Sequence, residues 1–356
     1  MAAPIATIDL DLILEHTRQM WDEMRGQQIF LTGGTGFFGC WLVESFLHIN
    51  RALQLDAKIA VLTRNPTAFA KKCPHLQSDL ALTLILGDVR DFEIPSRLHG
   101  AEFRYVIHAA TESSAKQVAE GQLATLETIL RGTERTLQFA ATHGTRKFLL
   151  TSSGAVYGEQ PAGIIHLPED YAGAPNSLKP SSVYAEGKRA AELLCSLYAH
   201  AELECKIARC FAFVGPHLPL DAHFAVGNFL RDAMCGDPIQ INGDGTPIRS
   251  YLYAADLAIW LWTMLFRAPS MEAFNVGSDE AVSIAGLART VADTLNSNTP
   301  IHIAQQAQPE TTVRRYVPST RKAEQLLGLR PTVPLDEAIL RTAAWYGHAA
   351  RLSNIK

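Results

Sequence analysis

From Gln28 onward the chain alternates short apolar runs with longer amphipathic stretches. The runs are Ile29-Phe30-Leu31, Ile59-Ala60-Val61-Leu62, Leu84-Ile85-Leu86, Tyr105-Val106-Ile107, Phe148-Leu149-Leu150 and Lys206-Ile207-Ala208. They are apolar at nearly every position instead of every second one, as strands covered on both faces must be, and the helical stretches between them supply the cover. The pattern predicts an α/β fold, a Rossmann-type doubly wound parallel sheet. Ahead of it, residues 9 to about 25 set Leu10, Ile13, Leu14, Trp21 and Met24 at helical spacing and stop at Gly26. An extra amphipathic helix, lying on the main body or on a second subunit, is expected there. Beyond Arg209 the alternation breaks into loops such as Gly215-Pro216 and Gly243-Asp244-Gly245, which points to a smaller lobe interleaved with the first.

Composition narrows the class. The chain has 356 residues, 47% of them hydrophobic, enough for a large core. A net charge of -4, with no dense run of Lys or Arg, excludes a basic field for nucleic acid and favours a small-molecule substrate. No stretch approaches the roughly 18 apolar residues of a membrane span. Asp9, Asp11 and Glu15 stand where a signal peptide would be basic, so no membrane partner and a cytoplasmic location are expected. The six cysteines include no C-x-x-C pair; they are expected to be reduced and mostly packed, with no metal site, and only Cys210 falls near candidate chemistry.

Thr32-Gly33-Gly34-Thr35-Gly36-Phe37-Phe38-Gly39 follows the first strand and opens a helix in which Phe38, Leu42 and Phe46 recur every fourth residue. Gly33 can make the tight turn, Gly36 lets the backbone approach a pyrophosphate, and Gly39 lets helix and strand pack, while the free N–H groups at the helix start face the phosphate charge. The glycine spacing, three and three, differs from G-x-G-x-x-G. A flexible loop can also be glycine-rich, but the strand before and the helix after favour a dinucleotide site. The second strand ends Thr63-Arg64, where an NAD site would place a carboxylate on the ribose. Thr63 cannot play that part, and Arg64 offers a cation to a 2′-phosphate, so NADP(H) is favoured and NAD(H) is the alternative. Asp88, after the third strand, stands where a carboxylate reaches the adenine edge.

Tyr184 and Lys188 lie one helical turn apart. An ammonium beside a phenol stabilises tyrosinate, so Tyr184 can exchange a proton with a substrate hydroxyl. The pair follows a strand ending Thr151-Ser152-Ser153, whose hydroxyls can bind the same oxygen.

These residues resemble the extended short-chain dehydrogenases/reductases, the NAD-dependent epimerase/dehydratase group that modifies nucleotide sugars. The likeness runs from about Gln28 to Pro331 through the glycine motif, Asp88, Thr151 to Gly158, Tyr184 to Lys188, Gly243 to Arg249, Tyr253, Asp256 and Phe274-Asn275-Val276-Gly277. The resemblance implies that Ser153 is the catalytic hydroxyl beside Tyr184 and Lys188. It implies that Val89, Ala109 and Ala110 join Thr35, Phe37 and Phe38 along the cofactor. Glu112, Ser153 and Gly154 would then face the substrate, with Arg249 on its diphosphate. A homodimer is expected. The expected division is an N-terminal helix in residues 1–25, a dinucleotide domain in 26–208 with a returning segment at about 250–277, and a substrate lobe from 209–249 and 278–350.

Departures from the pattern bear on the reaction. The 4,6-dehydratases carry an acid and a base directly after the catalytic hydroxyl, and the decarboxylases usually keep a glutamate there; this chain has Gly154 and Ala155, which move no proton. Ile129 replaces a helix asparagine that positions the lysine in many relatives, and Ala212 replaces an asparagine of the sugar pocket. Glu112, Ser113, Ser114, His217 and His223 are loop residues that either line an altered pocket or face solvent. Hydride transfer at a sugar carbinol or ketone, by a reductase or an epimerase, is the expected function. The alternatives are a 4,6-dehydratase with Glu112 or Glu159 as base and a non-catalytic NADP sensor, which would not need Tyr184 and Lys188.

Overall fold

Strands β1 (Gln28–Thr32), β2 (Lys58–Thr63), β3 (Leu82–Leu86), β4 (Tyr105–His108), β5 (Lys147–Ser153) and β6 (Glu204–Cys210) form at the six apolar runs. All of their pairings are parallel. The computed structural model that shows them describes residues 2–111, 121–222, 224–297, 299–308 and 313–353. The helices of this half are α1 (Thr7–Thr17), α2 (Phe37–Leu53), α3 (Pro66–Lys72), α4 (Gln122–Thr142) and α5 (Val183–Tyr198).

The second half begins with β7 (Phe213–Val214), α6 (Ala225–Cys235), β8 (Ile239–Ile241), β9 (Ile248–Arg249) and β10 (Leu252–Tyr253). Next comes α7 (Ala254–Arg267), a helix buried on all sides because it is apolar on all sides, with Leu257, Trp260, Trp262 and Leu265 fully enclosed. It leads into β11 (Ala273–Val276), a seventh strand of the central sheet, paired parallel to β6. No unbroken apolar run announced β11. Asn275 interrupts it, and this asparagine is wholly buried, its amide donating to Leu167 O at 2.8 Å and Ser319 O at 3.2 Å. The chain ends with β12 (Val282–Ser283), α8 (Ile284–Thr294), β13 (Ile301–Ile303), β14 (Arg315–Tyr316), α9 (Arg321–Leu327) and α10 (Leu335–Ser353).

The strand order is β3-β2-β1-β4-β5-β6-β11. The fold is therefore a Rossmann-type doubly wound sheet, to which the small sheets β10-β7, β12-β9-β14 and β13-β8 are added. The order reverses between β1 and β4, and the crevice at the carboxyl ends of these strands is where open α/β sheets take ligands.

The N-terminal segment is helical in two pieces. α1 stops at Thr17, whose hydroxyl donates back to Ile13 O at 2.5 Å and accepts Trp21 Nε1 at 2.9 Å, and a tighter 3₁₀ turn carries Arg18–Met24. Trp21 is fully buried on the main body, 4.8 Å from Trp262 and 5.2 Å from Phe266 between ring centroids. Asp9 is buried too, bonded to Tyr253 and to Arg341 on α10. No helix among the described residues is long and apolar enough to cross a membrane.

Candidate active site

The glycine loop and the end of β4 touch. Gly33 has φ +72°, and a Cβ there would lie 2.4 Å from Ala109 O and 2.6 Å from Ala110 N. A Cβ on Gly39 would meet Gly33 O at 2.3 Å, so both positions need glycine for space and Gly33 needs it for conformation as well. Gly36 caps α2 without any side-chain hydrogen bond, and the first turn carries no carboxylate. The N–H groups of that turn are thus left to a phosphate, so the loop fits a dinucleotide. Phe37 and Phe38 lie edge to face at 5.7 Å, and Phe38 packs on Phe213 at 5.0 Å. The carbonyl of Thr35 accepts Lys72 Nζ at 3.0 Å.

Beneath the crevice a buried histidine ties three elements together. His108 Nδ1 lies 2.7 Å from Thr32 Oγ1 and its Nε2 lies 3.2 Å from Thr133 Oγ1 on α4, while Thr32 Oγ1 accepts Ala110 N at 3.2 Å. Burial, and then the charge of Lys188, push His108 down to about 3. It is a neutral strut.

At the outer edge Thr63 is buried and Arg64 is exposed at the end of β2. Asp88 is turned to Arg90, which donates from Nε at 2.8 Å and Nη2 at 3.1 Å. This pair holds the Asp88 carboxyl below its usual range, and the charge of Arg64 adds to the effect. Val89 is buried against Gly132 of α4, where a Cβ would come within 2.9 Å.

Ser153, Tyr184 and Lys188 converge at the end of β5. The Ser153 hydroxyl accepts Ala155 N at 3.2 Å, and it lies close enough to the phenols of Tyr184 and Tyr316 to favour their ionised forms. Burial pushes Tyr184 up to about 12, against the pull of Ser153. Lys188, 2% exposed, donates to Thr151 O at 2.7 Å, and its ammonium lies 6.0 Å from the centre of the Tyr184 ring. Burial brings it down to about 8. α5 sits close enough for this because Gly187 leaves room for Ile129, whose Cδ1 would be 3.0 Å from a Cβ at that position. Cys210, the partner of Ser153 across β5 and β6, is pushed up to about 12 by burial and stays a thiol.

On the far side stands an aromatic wall. β14 pairs with β9 so that Tyr316 faces Arg249, whose guanidinium lies 5.8 Å from the Tyr316 ring centre. Phe211 packs on Tyr316 at 4.6 Å. A Cβ on Gly154 would come within 2.6 Å of the Phe211 ring, so that ring fills the space a side chain at 154 would need.

A family model described as the NAD dependent epimerase/dehydratase family matches residues 29–277. The chain belongs to that family. Among its relatives, UDP-glucuronic acid decarboxylase 1 of Xenopus tropicalis is 30% identical over 323 residues, covering 90% of this chain and 72% of the relative. A UDP-glucuronic acid decarboxylase 1 of Arabidopsis thaliana is 31% identical over 318 residues, covering 88% and 68%. Among solved structures, UDP-glucose 4-epimerase of Thermotoga maritima with UDP-glucose superposes with a TM-score of 0.76 at 21% identity, covering 91% of this chain and 100% of that one. The dTDP-glucose 4,6-dehydratase of Streptomyces venezuelae, with NAD and TYD bound, gives 0.75 at 24% identity, covering 90% and 97%. Likeness at that level is a likeness of fold.

Within this epimerase/dehydratase family member, several expectations meet a different setting. Asp88, just after β3 where it was expected, also holds Arg90. Glu159 is exposed, and His217 is buried and not a solvated loop residue. Glu112, Ser113, Ser114 and His223 lie outside the described residues. Tyr316 and Phe211 escaped sequence reasoning. Tyr316 belongs to a two-residue strand with no apolar run around it, and only its pairing with the Arg249 strand brings it to Ser153. Phe211 had one available signal, the glycine at 154 that makes room for it.

Proposed function

We propose that this enzyme exchanges hydride at a carbinol or ketone carbon of a nucleotide sugar, most simply C4, as a reductase or an epimerase. The observation that carries the proposal is the meeting of Ser153, Tyr184 and Lys188 beside a position, Gly154, that holds no proton-transfer group and is closed by Phe211. A nicotinamide dinucleotide on the glycine loop would supply or accept the hydride. The chain's own part is to hold and move a proton. Ser153 and Tyr184 hold the substrate oxygen, Tyr184 passes its proton, and the Lys188 charge stabilises the phenolate that this leaves. Arg249 grips the diphosphate, since a guanidinium offers it two parallel donors. The lobe formed by residues 209–249 and 278–350 carries Arg249, Phe211 and Tyr316 to the substrate side of the dinucleotide domain.

NADP(H) is the preferred cofactor in this proposal, because the cation of Arg64 closes β2 where a carboxylate would select the free ribose. A homodimer is part of it as well. Leu193 and Leu197, 61% and 72% exposed one turn apart on α5, make an apolar strip that a second copy would cover.

The decarboxylase relatives favour a second reading, in which oxidation at C4 of a uronic acid makes a β-keto acid that loses carbon dioxide. Incubating the purified protein with UDP-glucose, UDP-glucuronic acid and 4-keto nucleotide sugars, with NADPH or NADP⁺, separates the two by product mass. Reduction or inversion without loss of atoms other than hydrogen supports the proposal. Release of carbon dioxide from UDP-glucuronic acid supports the second reading and overturns the first.

A further inference from the structure

One helical turn beyond the glycine loop, three potential metal ligands meet that the chain keeps far apart. Cys40 lies on α2, Cys73 directly follows α3, and His217 lies in the loop after β7. Their ligand atoms, two sulfurs and a ring nitrogen, all lie within 4.8 Å of one another. All three residues are buried, at 0%, 1% and 6% exposure. Nothing in the proposed catalytic chemistry uses them.

The histidine supplies the decisive detail. Its side chain is wholly enclosed, with Nε2 3.4 Å from Glu44 Oε1, while Nδ1 is buried and has no hydrogen-bond partner. A buried ring nitrogen without a partner costs free energy unless something fills its lone pair. His217 also holds φ +70°, a backbone conformation uncommon for any residue but glycine, which must be held by its surroundings.

We infer that Cys40, Cys73 and His217 form a zinc site, with the two sulfurs and His217 Nδ1 as ligands and a water in the fourth position. Two thiolates and an imidazole are the ligand types zinc selects, and contraction of a cluster within 4.8 Å to bonds of about 2.0–2.3 Å needs only small side-chain movements. The outer surroundings are those of a metal-binding histidine. Glu44, four residues after Cys40 on the same face of α2, takes the other ring N–H, the carboxylate–histidine arrangement that fixes a ligand's tautomer. Glu44 is itself held by Ile5 N at 2.8 Å and by His75 Nε2 at 3.2 Å. Lys72 Nζ, 3.4 Å from the Cys40 sulfur, offsets one thiolate charge and reaches the Thr35 carbonyl of the glycine loop. Zinc here would tie α2 to the end of α3 and to the loop after β7, where Trp41 Nε1 already donates to Pro216 O at 2.9 Å. The cysteines of this cluster are packed, as expected; the inferred metal goes beyond that expectation, because spacings of this length carry no sequence signature.

The test uses the full chain, stripped with a chelator under reducing conditions and titrated with Co²⁺ alone. The expected result is one equivalent bound, thiolate-to-cobalt charge-transfer absorption, displacement by Zn²⁺, and a melting temperature raised by either ion. Cys73→Ser should lose the charge-transfer absorption and the metal-induced rise in melting, while Cys235→Ser, at an exposed cysteine outside the cluster, should keep both. The wild-type titration decides by itself if Cys73→Ser fails to fold. No charge-transfer absorption in the reduced wild type, its persistence in folded Cys73→Ser, or recovery of Cys40 and Cys73 as a disulfide from freshly purified protein would each overturn the inference. None of these outcomes depends on the proposed sugar chemistry.

Discussion

Two polar clusters start from adjacent residues of β5 and diverge. Ser152 and Ser153 point to opposite faces of the sheet. On one side Ser152 donates to Glu192 at 2.5 Å; Glu192 takes Arg209 at 2.8 and 3.1 Å, Arg209 donates to the Tyr157 hydroxyl at 3.0 Å, and Tyr157 donates to Asn275 at 2.7 Å. Every charge in this chain has its opposite, and every hydroxyl a partner. On the other side Ser153 lies near two phenols, and Lys188 is buried against a carbonyl; the charge of Glu192, four residues on, acts on it, but among the described residues no carboxylate forms a salt bridge with it. Burial pushes both Tyr157 and Tyr184 up to about 12, so phenol acidity does not distinguish the clusters. Charge balance does. The satisfied chain is architecture, whereas a cation buried without a direct ion-pair partner is the kind of cost that proteins carry where chemistry needs it.

The contrast is broken most severely at Tyr184 and Lys188. Tyr184→Phe and Lys188→Met should each lower turnover by roughly 10²–10⁴-fold, the usual size of a general acid–base contribution. Because Lys188 stays protonated in the unfolded chain to higher pH than in the folded one, its buried charge weighs against folding below about pH 8. Lys188→Met should therefore melt no lower than wild type at neutral pH, and calorimetry beside a rate assay checks both halves.

Arg209→Met should do the reverse. Removing one partner strands Glu192, 12% exposed, and costs about 3 kcal/mol of stability, while turnover per folded molecule stays within a few-fold of wild type. A collapse of turnover in a well-folded Arg209→Met would erase the distinction drawn between the two clusters.

The residues that make this contrast were unevenly visible in sequence. Six strands, the glycine loop and the Tyr184/Lys188 pair are local patterns, fixed by periodicity or by spacing within one turn, and they were legible. Ser153 was legible through its place at the end of an apolar run. β11 was anticipated only as part of the returning segment at about 250–277 and by no periodicity, because Asn275 interrupts a four-residue strand and its burial is compensated by bonds to segments more than 100 and more than 40 residues away. Tyr316, Phe211 and the Cys40/Cys73/His217 cluster depend on contacts between segments far apart in the sequence, which no local pattern encodes.

A smaller effect separates the neutral strut from the charged site. His108 is held at about 3, below its ordinary value of 6.5. Its contribution to stability is complete above pH 6.5 and is lost as pH falls toward 3, because the unfolded chain takes up the proton first. Denaturant titrations between pH 7 and 4 should show a shallower acid slope for His108→Gln than for wild type. The smallest effect expected is at the rim, where Arg64→Ala should narrow the preference for NADP(H) over NAD(H) by about tenfold, roughly 1.4 kcal/mol, in titrations with each cofactor. A native preference for NAD(H) would remove the role given to Arg64.

The central claim, hydride exchange without elimination, is tested most directly by the mass of the product formed from a nucleotide-linked hexose. Removing water across C5 and C6 of a 4-keto sugar needs a base and an acid at the reacting carbons, and Gly154 and Ala155 supply neither, with Phe211 closing the space above Gly154. The expected product differs from the substrate only in configuration or by two hydrogens. A product lighter by one water, formed at ordinary enzymatic rates, would contradict the account.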